Sequence, residues 1–499
     1  MNAAWQGVSL LLDPYVILVM FIAGLFGLFM GAIPGLSATM AVALLVPVTF
    51  FMEPVPALAA IVMATAVAIF AGDIPSALLR IPGTPSSAAY TEDAYKLTQK
   101  GQAELALGVS LVGSAIGGIF GAIVLAFLAP WLADFALRFS TFEYFWLAAL
   151  GLTCAAFIGG DQPMRGFVSL LVGLFVATIG IDPVAGFPRF SFGNAELMGG
   201  INFIAAMVGM FALAEVLRHV TAMKPFERAK HAPTGSIFKG VGRVLLKYKM
   251  GLIRGNLLGV VIGILPGAGS DIAAWITYAV AKRFSKEPEK FGTGHVEGLV
   301  DAGGANNSGL AGAWVPALVF GIPGDSITAI VIGVLYMKGM NPGPTVFLYE
   351  PQLVYGVFAS FFLANLLLLP MGWAAIKTSK QILNVPRDVL MPVILLFCVV
   401  GTFAMNNTVF GVGVMLVFGL LAWLMEENGF PIAPAILGLV LGGVLESNFM
   451  TSMINSGGNL LAFFERPIAG VLGVITILIW LSPFAVLVYR RRQAQAAPG

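Results

Sequence analysis

Apolar runs long enough to cross a lipid bilayer recur along the whole of this chain. Each runs for roughly 16 to 25 residues, the length that an α-helix needs to span about 30 Å of hydrocarbon. The composition agrees, since 58% of the 499 residues are hydrophobic, 10% are charged and the mean hydropathy is +0.92. Such a chain has too few polar groups to cover a water-soluble surface of this size. The sequence therefore predicts an all-α polytopic membrane protein with about 10 to 12 membrane segments.

The two halves of the chain carry similar short motifs in the same order. "GAIPGLS" at residue 31 is echoed by "GILPGAGS" at 263, and "IPGTPSS" at 81 by "IPGDS" at 322. "LLVGLFVATIGID" at 170 likewise resembles "LVFGLLAWLMEEN" at 416. Three matches in one order indicate an internal duplication. The predicted segments are a first membrane repeat (12–220), a basic linker with a surface helix (221–249), a second membrane repeat (250–450), a final transmembrane helix (468–489) and a tail (490–499).

Lysine and arginine cluster between the repeats, where residues 218–254 hold nine of them against the single acid Glu227. The positive-inside rule predicts that this linker is cytoplasmic, as is the end of the chain around Arg490 to Arg492. No basic residue precedes Arg80, so the N-terminus is predicted to be periplasmic. The first repeat then crosses the membrane an odd number of times, which gives the two repeats opposite orientations. Inverted repeats are common in secondary transporters, which bind their cargo where the repeats meet.

Each repeat contains two Pro-Gly pairs in or beside its apolar runs, at Pro34-Gly35, Pro82-Gly83, Pro266-Gly267 and Pro323-Gly324. Proline removes a backbone donor and glycine permits non-helical geometry, so nearby carbonyls and amides lose their helical partners. Such backbone is tolerated at membrane depth only where protein buries it or where it lines a watered cavity. The pairs therefore predict broken helices or re-entrant hairpins. As the alternative, each pair only connects successive helices.

Small polar side chains follow these breaks, and they supply groups that bind carboxylates and dehydrated Na⁺. The residues predicted to contact a carboxylate substrate are Ser37, Thr39, Thr84, Ser86, Ser87, Asn306, Asn307, Ser308, Ser326 and Arg80. The residues predicted to contact a coupling cation are Pro34, Gly35, Ser37, Pro266, Gly267, Gly269, Ser270, Asp271, Gly324 and Asp325. Na⁺ is the expected ion because no buried His or Glu relay is evident, with H⁺ as the alternative.

Two of these assignments leave a structural alternative open. Asp73 and Arg80 both precede "IPGTPSS", so an ion pair between them competes with a substrate contact by Arg80. The stretch "DAGGANNSG", residues 301–309, stands before an apolar run and also fits a helix-capping loop. Elsewhere, the four-residue spacing of Gly113, Gly117 and Gly121 predicts close helix packing.

The longest motifs resemble those of the large membrane subunit of the tripartite tricarboxylate transporter family. The similar segments are "GAIPGL", "IPGTPSSAAYTEDAY", "GILPGAGSDIAAWITYAVAKRFSK", "FGTGHVEG" and "NNSGLAGAWVPALVFGIPGDSITAIVIGVLYMKGMNPGP". The resemblance implies an importer of citrate or other tri- and dicarboxylates, driven by a cation gradient across a bacterial inner membrane. It implies two partners besides membrane lipid, a small membrane subunit of about four helices and a periplasmic solute-binding protein. By analogy with other large subunits fed by binding proteins, it also suggests elevator-type motion.

Two other classes stay open on the sequence alone. A channel would share the broken helices, and active uptake against a gradient would exclude it. A membrane-embedded enzyme is the second alternative, since "GAGSD" at 267–271 partly resembles the Gly-x-Gly-Asp of intramembrane aspartyl proteases, with one residue too many. The sequence contains no H-E-x-x-H, nucleophile elbow or P-loop, so we predict neither an enzyme nor a cofactor. We also predict no nucleic-acid partner.

Overall fold

The chain folds almost entirely into helices. The structure is a computed structural model that describes residues 2–158, 163–182, 184–222 and 235–496. Up to residue 222 the helices are α1 (Asn2–Leu11), α2 (Pro14–Ala32), α3 (Ala38–Thr49), α4 (Pro54–Ala71), α5 (Asp73–Leu79), α6 (Thr91–Gln99), α7 (Ala103–Ala136), α8 (Thr141–Ile158), α9 (Pro163–Ala177), α10 (Ala195–Met198), α11 (Phe203–Met207) and α12 (Ala214–Ala222). A short antiparallel hairpin, β1 (Gly180–Ile181) and β2 (Pro188–Arg189), follows α9, and the π-helical stretch Val208–Leu213 joins α11 to α12.

The second half is likewise helical. Its helices are α13 (Val241–Lys247), α14 (Lys249–Ile264), α15 (Gly269–Phe284), α16 (Val296–Phe320), α17 (Ser326–Met337), α18 (Val346–Tyr349), α19 (Pro351–Lys377), α20 (Ser379–Leu383), α21 (Arg387–Asn406), α22 (Val409–Glu427), α23 (Ile432–Asn455), α24 (Ala462–Glu465) and α25 (Pro467–Ala496). Single turns of 3₁₀-helix lie at Ser87–Ala89 and Pro288–Lys290. Part of the predicted basic linker, residues 223–234, and the last part of the predicted tail, 497–499, lie outside the described residues.

Seven helical stretches of the described chain are long and apolar enough to cross a membrane. They are Pro14–Ala32, Pro54–Leu79, Ala103–Ala136, Phe203–Thr221, Pro351–Lys377, Val409–Glu427 and Ile432–Asn455, and five shorter apolar helices accompany them. The prediction of an all-α polytopic membrane protein is therefore confirmed.

Two compact units make up the chain. The first, unit 1, comprises Met1–Leu137 and Asn202–Ile432, and the second, unit 2, comprises Arg138–Ile201 and Ala433–Gly499. Every residue that the sequence predicts to bind substrate or cation belongs to unit 1, to which both predicted repeats contribute.

Unit 2 carries the only β-hairpin of the described residues. Arg189 on β2 forms an ion pair with Glu446 on α23, with 2.5 Å between Nη1 and Oε1. The turn of the hairpin is held by Asp182, whose carboxylate accepts hydrogen bonds from the backbone N–H groups of Ala185 and Val184 at 2.8 Å. These two N–H groups hold the pKa of Asp182 below its ordinary value, because they stabilise the charged form.

Helix α16 lies inside unit 1 and is buried on all sides from residue 298 to 319. Glycines on its neighbours α7 and α14 bring the backbones into contact. A Cβ added to Gly117 would lie 2.1 Å from the Gly304 carbonyl oxygen, and one added to Gly255 would lie 2.2 Å from that of Asp301. Small residues permit such close approach between membrane helices. The close packing predicted for the glycine-spaced helix α7 is confirmed.

One buried carboxylate fastens α6 to the loop that precedes α16. Asp93 on α6 accepts hydrogen bonds on Oδ1 from the backbone N–H groups of Gly292, Gly294 and His295, at 2.8–2.9 Å. Its Oδ2 accepts the hydroxyl of Tyr278 at 2.6 Å. The "TEDAY" and "FGTGH" motifs therefore contact each other through Asp93. This contact fixes the position of the loop from which α16 starts.

Candidate functional site

The two breaks of the first half touch each other. The loop after α5 folds back so that the Gly83 N–H donates to the Gly72 carbonyl at 3.2 Å. A Cβ added to Gly83 would lie 2.5 Å from the Cα of Gly72 and 2.8 Å from the carbonyl oxygen of Gly31. The end of α2 and the loop around Pro82 are therefore in direct backbone contact.

The two breaks of the second half meet in the same way. A Cβ added to Gly269, the first residue of α15, would lie 2.5 Å from the Cβ of Asp325, which precedes α17. Helix α16 lies beside this contact, because a Cβ added to Gly309 would be 3.1 Å from the Cα of Ser270. The second half thus reproduces the contact between breaks that the first half shows.

Contacts between loop 81–86 and helix α15 join the two pairs of breaks. Trp275 Nε1 donates to the Pro85 carbonyl at 3.1 Å. Asp271 lies within hydrogen-bonding reach of the hydroxyl and N–H of Ser86, and the charge of Asp325 acts on it. Breaks from both halves therefore surround Asp271, and we call this meeting point of Ser86, Asp271 and Asp325 the polar junction.

Two of the breaks have the same backbone geometry. Gly35 has φ 90° and Gly267 has φ 81°, values in the left-handed region that residues with a Cβ adopt only at a cost. Pro34 and Pro266 precede them and cannot donate to the helix that is ending. The matched pair leaves carbonyl oxygens at the ends of α2 and α14 without helical N–H partners.

The hydroxyls of loop 84–87 largely brace the loop itself. The side chains of Thr84, Ser86 and Ser87 are buried. Ser87 Oγ accepts the N–H of Thr84 at 3.1 Å and the hydroxyl of Ser76 at 3.0 Å, while Thr84 Oγ1 lies 3.0 Å from Ser86 Oγ. Of the three predicted substrate contacts, Ser86 also reaches the polar junction, through Asp271.

Three α-helices start within a few residues of a Pro-Gly pair, namely α3, α15 and α17, and side chains cap two of them. Ser37 caps α3 and Asp325 caps α17, each by accepting the backbone N–H three residues further on, at 3.0 and 2.8 Å. The predicted substrate contacts Thr39 and Ser326 lie in the first turns of these helices and are half-buried. Among these three helices, all within the described chain, α15 alone starts without a side-chain cap.

Asn306, Asn307 and Ser308 lie in the middle of α16 and are wholly buried, so the alternative of a helix-capping loop is wrong. Asn307 Nδ2 donates to Asn365 Oδ1 on α19 at 3.3 Å. Ser308 Oγ donates to the carbonyl of Asn256 on α14 at 3.1 Å, which directs it towards α14. Neither amide atom of Asn306 makes a hydrogen bond of good geometry within the described residues, although the Tyr90 hydroxyl lies within reach of this amide.

The ion pair considered between Asp73 and Arg80 is not formed. Arg80 Nε lies 2.8 Å from Glu92 Oε2, and 58% of the Arg80 side chain is exposed. Asp73 is buried instead and is hydrogen-bonded to the hydroxyls of Tyr90 and Ser110. The competing structural explanation for Arg80 is therefore a surface pair with the next helix, α6.

Several buried polar residues of unit 1 are not among those predicted from the sequence, chiefly Tyr90, Asp93, Ser110 and Asn365. Tyr90 and Asp93 both belong to the motif "AAYTEDAY", which the family resemblance had already singled out. A polar residue inside such a motif was the available signal. Ser110 and Asn365 each stand alone in an apolar run, and no local pattern marks them.

The polar junction brings two carboxylates close together. Asp271 is exposed and Asp325 is half-buried, and each disfavours the charge of the other. A cation between them would relieve this repulsion, and carboxylate, hydroxyl and carbonyl oxygens are the ligands that Na⁺ accepts. Within the described residues no group of three His, Cys, Asp or Glu side chains could hold a metal ion.

An apolar cavity of about 320 Å³ also lies in unit 1, among α2, α3 and α21. Val19, Phe26, Val48 and Phe397 are typical of its lining, and none of the predicted site residues contributes to it. A carboxylate would lose its hydration there without gaining polar partners. The polar junction is therefore the better candidate site.

Helices broken at matched Pro-Gly pairs, which meet around polar groups in a polytopic membrane protein, are the architecture of secondary transporters. Residues 17–437 match the Tripartite tricarboxylate transporter TctA family. The chain belongs to that family, as its motifs had indicated.

Two proteins of Agrobacterium vitis are similar to this chain. One, described as an uncharacterized 52.8 kDa protein in the TAR-I ttuC' 3' region, is 34% identical over 489 residues, which cover 96% of this chain and 95% of the relative. The other, described as an uncharacterized protein in the TAR-II ttuC' 3' region, is 35% identical over 228 residues, 45% of this chain and 94% of the relative. No solved structure matches the chain.

Proposed function

We propose that this chain is the large permease subunit of a binding-protein-dependent secondary transporter that imports citrate or other tri- and dicarboxylates with a cation, Na⁺. The observation that carries the proposal is the polar junction, where breaks from both halves surround Asp271. Membership of a transporter family favours this function over an enzyme. Active uptake would separate it from a channel.

In the proposed mechanism the cation binds first. Asp271 and Asp325 supply negative charge, Ser270 a hydroxyl, and the breaks at Pro266-Gly267 and Gly324 supply carbonyl oxygens. The matching first-half break, Pro34, Gly35 and Ser37, would offer carbonyl oxygens and a hydroxyl but no carboxylate. An anion could not approach the two carboxylates unless their charge were first neutralised. This order of binding would couple the two gradients.

The carboxylate substrate would then bind beside the cation. The first N–H groups of α15 are not capped by a side chain, and the N-terminus of a helix attracts anions. Ser86 and the first turn of α17 with Ser326 lie at the same junction. Apart from the nearby Tyr90 hydroxyl, the Asn306 amide has no hydrogen-bonding group at good geometry among the described residues, so it too could bind substrate when the site closes.

The remaining parts of the proposal follow from the architecture and the family. The matched helix-break-helix units α2–α3 and α14–α15 support a duplication. The opposite orientation of the two repeats rests on the positive-inside rule, and elevator-type motion remains part of the proposal by analogy. We place the protein in a bacterial inner membrane, with a periplasmic N-terminus and a cytoplasmic C-terminus. Its partners would be a small membrane subunit and a periplasmic solute-binding protein.

Reconstitution with these partners tests the proposal. Uptake of labelled citrate or a dicarboxylate into proteoliposomes should require an inward Na⁺ gradient. Asp271→Asn is expected to raise the Na⁺ concentration for half-maximal uptake about tenfold, the equivalent of losing about 1.4 kcal/mol of binding. Ser236→Ala, which changes an exposed serine of the linker, serves as the control. If uptake by the wild type and by both variants did not depend on the Na⁺ gradient, the proposal would be contradicted.

Arg80 is tested by comparison with its own ion-pair partner. Arg80→Ala and Glu92→Ala both break the surface pair, which contributes at most about 1 kcal/mol to stability. Only Arg80→Ala removes a cation that could attract the substrate, so it should raise the KM for carboxylate about three- to tenfold. The Glu92→Ala variant should keep the wild-type KM. Equal KM values for both variants would restrict Arg80 to the surface pair.

A further inference from the structure

Asp73 is a buried carboxylate that the proposed mechanism does not use. It begins α5, and 2% of the residue is exposed. Its Oδ1 accepts the hydroxyl of Tyr90 at 2.7 Å, and its Oδ2 is hydrogen-bonded to the hydroxyl of Ser110 on α7. Both partners are neutral, so neither contact supplies positive charge to the carboxyl group.

The other elements packed against α5 bring no cation to it. Helices α2 and α4 contain no charged residue, and α7 contributes the Ser110 hydroxyl. On α6, Glu92 is paired with Arg80, Asp93 is held by backbone N–H groups, and Lys96 lies against the loop at Gly294. Beyond the Tyr90 hydroxyl lies a further acid, Asp271 of the polar junction, which adds negative and not positive charge.

A carboxylate removed from water without a positive partner is costly, and such groups commonly become neutral instead. The neutral acid fits both observed contacts. A protonated Asp73 can donate to Ser110 Oγ, whose own hydrogen is free to turn towards its helix, and can still accept from Tyr90. The geometry therefore accommodates a proton on Asp73 when only the Ser110 hydroxyl hydrogen turns and no heavy atom moves.

We propose that Asp73 is a proton-binding site, occupied in the conformation described and emptied by way of Tyr90 during transport. The Tyr90 hydroxyl connects Asp73 to the polar junction, since it lies within hydrogen-bonding reach of Asn306 and the charge of Asp271 acts on it. Neither amide atom of Asn306 has another partner among the described residues, so this amide can rotate as the proton passes. On release the Asp73 carboxyl turns its O–H towards the Tyr90 oxygen. That O–H bond breaks as the Tyr90 O–H bond breaks towards water, which leaves an Asp73 carboxylate and a neutral tyrosine.

The protonation is tested on the purified full-length chain by infrared difference spectroscopy, which does not depend on transport. A C=O stretch of a protonated carboxyl group should be present at neutral pH and absent from Asp73→Asn. Asn has the shape of the neutral acid and keeps both contacts, so this variant should have the same melting temperature as the wild type. Asp271→Asn, the matched control, should retain the band. An unchanged spectrum in Asp73→Asn would overturn the inference.

A second variant keeps the test decisive should Asp73→Asn fail to fold. Ser110→Ala leaves the acid in place and removes one of its two hydrogen bonds. The carboxyl band should therefore shift in frequency, because its position follows the hydrogen bonding of the group. A band that stays unshifted would belong to another acid and would overturn the assignment.

The role of this proton in transport rests on the proposed function, and its test separates the two. Proteoliposomes that contain the partners and an internal pH indicator should acidify as labelled carboxylate enters, and Asp73→Asn should lose this proton movement. Na⁺-driven uptake by the wild type without proton movement would overturn the transport role of Asp73 and leave the proposed function intact. Complete absence of uptake would count against the proposed function, while the infrared result would still decide whether Asp73 is protonated.

Discussion

Asp93→Ala is expected to lower the free energy of unfolding by at least about 3 kcal/mol, since a buried donor that loses its acceptor costs about 1–3 kcal/mol. The substitution leaves the backbone N–H groups of Gly292, Gly294 and His295 and the hydroxyl of Tyr278 without their acceptor. These groups hold the loop from which α16 starts. The expected result is a clear fall in the melting temperature of the purified chain in detergent.

Two neighbouring changes serve as controls for this loss. Glu92→Ala alters the preceding residue of the same helix, whose ion pair is exposed, and should cost less than about 1 kcal/mol. Asp93→Asn keeps one oxygen acceptor and should melt between Asp93→Ala and the wild type. If Asp93→Ala and Glu92→Ala melted alike, the carboxylate would not be the anchor that the geometry indicates.

Gly269→Ala is expected to lower carboxylate uptake about 100-fold, because a displacement of about 1 Å at a site can cost that much. The new Cβ would lie 2.5 Å from the Cβ of Asp325. Two carbon atoms come this close only when both are bonded to the same atom. Either Asp325 or the start of α15 must therefore move, and both belong to the polar junction. Initial rates of labelled uptake in proteoliposomes measure the effect.

Gly339→Ala is the matched control for this substitution. Gly339 also has a positive φ, 74° against 57° at Gly269, but a Cβ there would meet nothing within 4 Å. Both variants pay the cost of a left-handed alanine, about 1–2 kcal/mol, and only Gly269→Ala adds the collision. Equal losses of uptake would assign the effect to backbone strain. Undiminished uptake in Gly269→Ala would show that transport does not need the close contact of these breaks.

The broken helices could be predicted from the sequence because their cause is local. Proline and glycine act on their own backbone, so Pro34-Gly35 and Pro266-Gly267 identified two breaks that the structure shows with matching φ angles. The helix starts at Ser37 and Asp325 also have a local cause. Serine and aspartate cap a helix by accepting N–H groups from the residues that follow them directly in the chain.

Other parts of the site depend on contacts that no local pattern reveals. The nearest backbone N–H that Asp93 binds, that of Gly292, is 199 residues away along the chain. Asn306 and Asn307 fitted a loop because asparagine and glycine are weak helix formers. Their helix exists because α7 and α14 pack against it through glycines, and such tertiary packing overrides propensity.

The glycines of α14 also restrict how this protein could acquire a different cargo. Gly251, Gly255, Gly259 and Gly263 occupy every fourth position, and a Cβ at any of them would lie within 2.3 Å of an atom of α16. A larger side chain at any of these positions would displace α16, which carries Asn306 and Asn307. It would not add a new contact for a ligand. Laboratory selection for altered specificity should therefore randomise the positions around Ser86 and Ser326, where side chains can change while the two helices keep their fit.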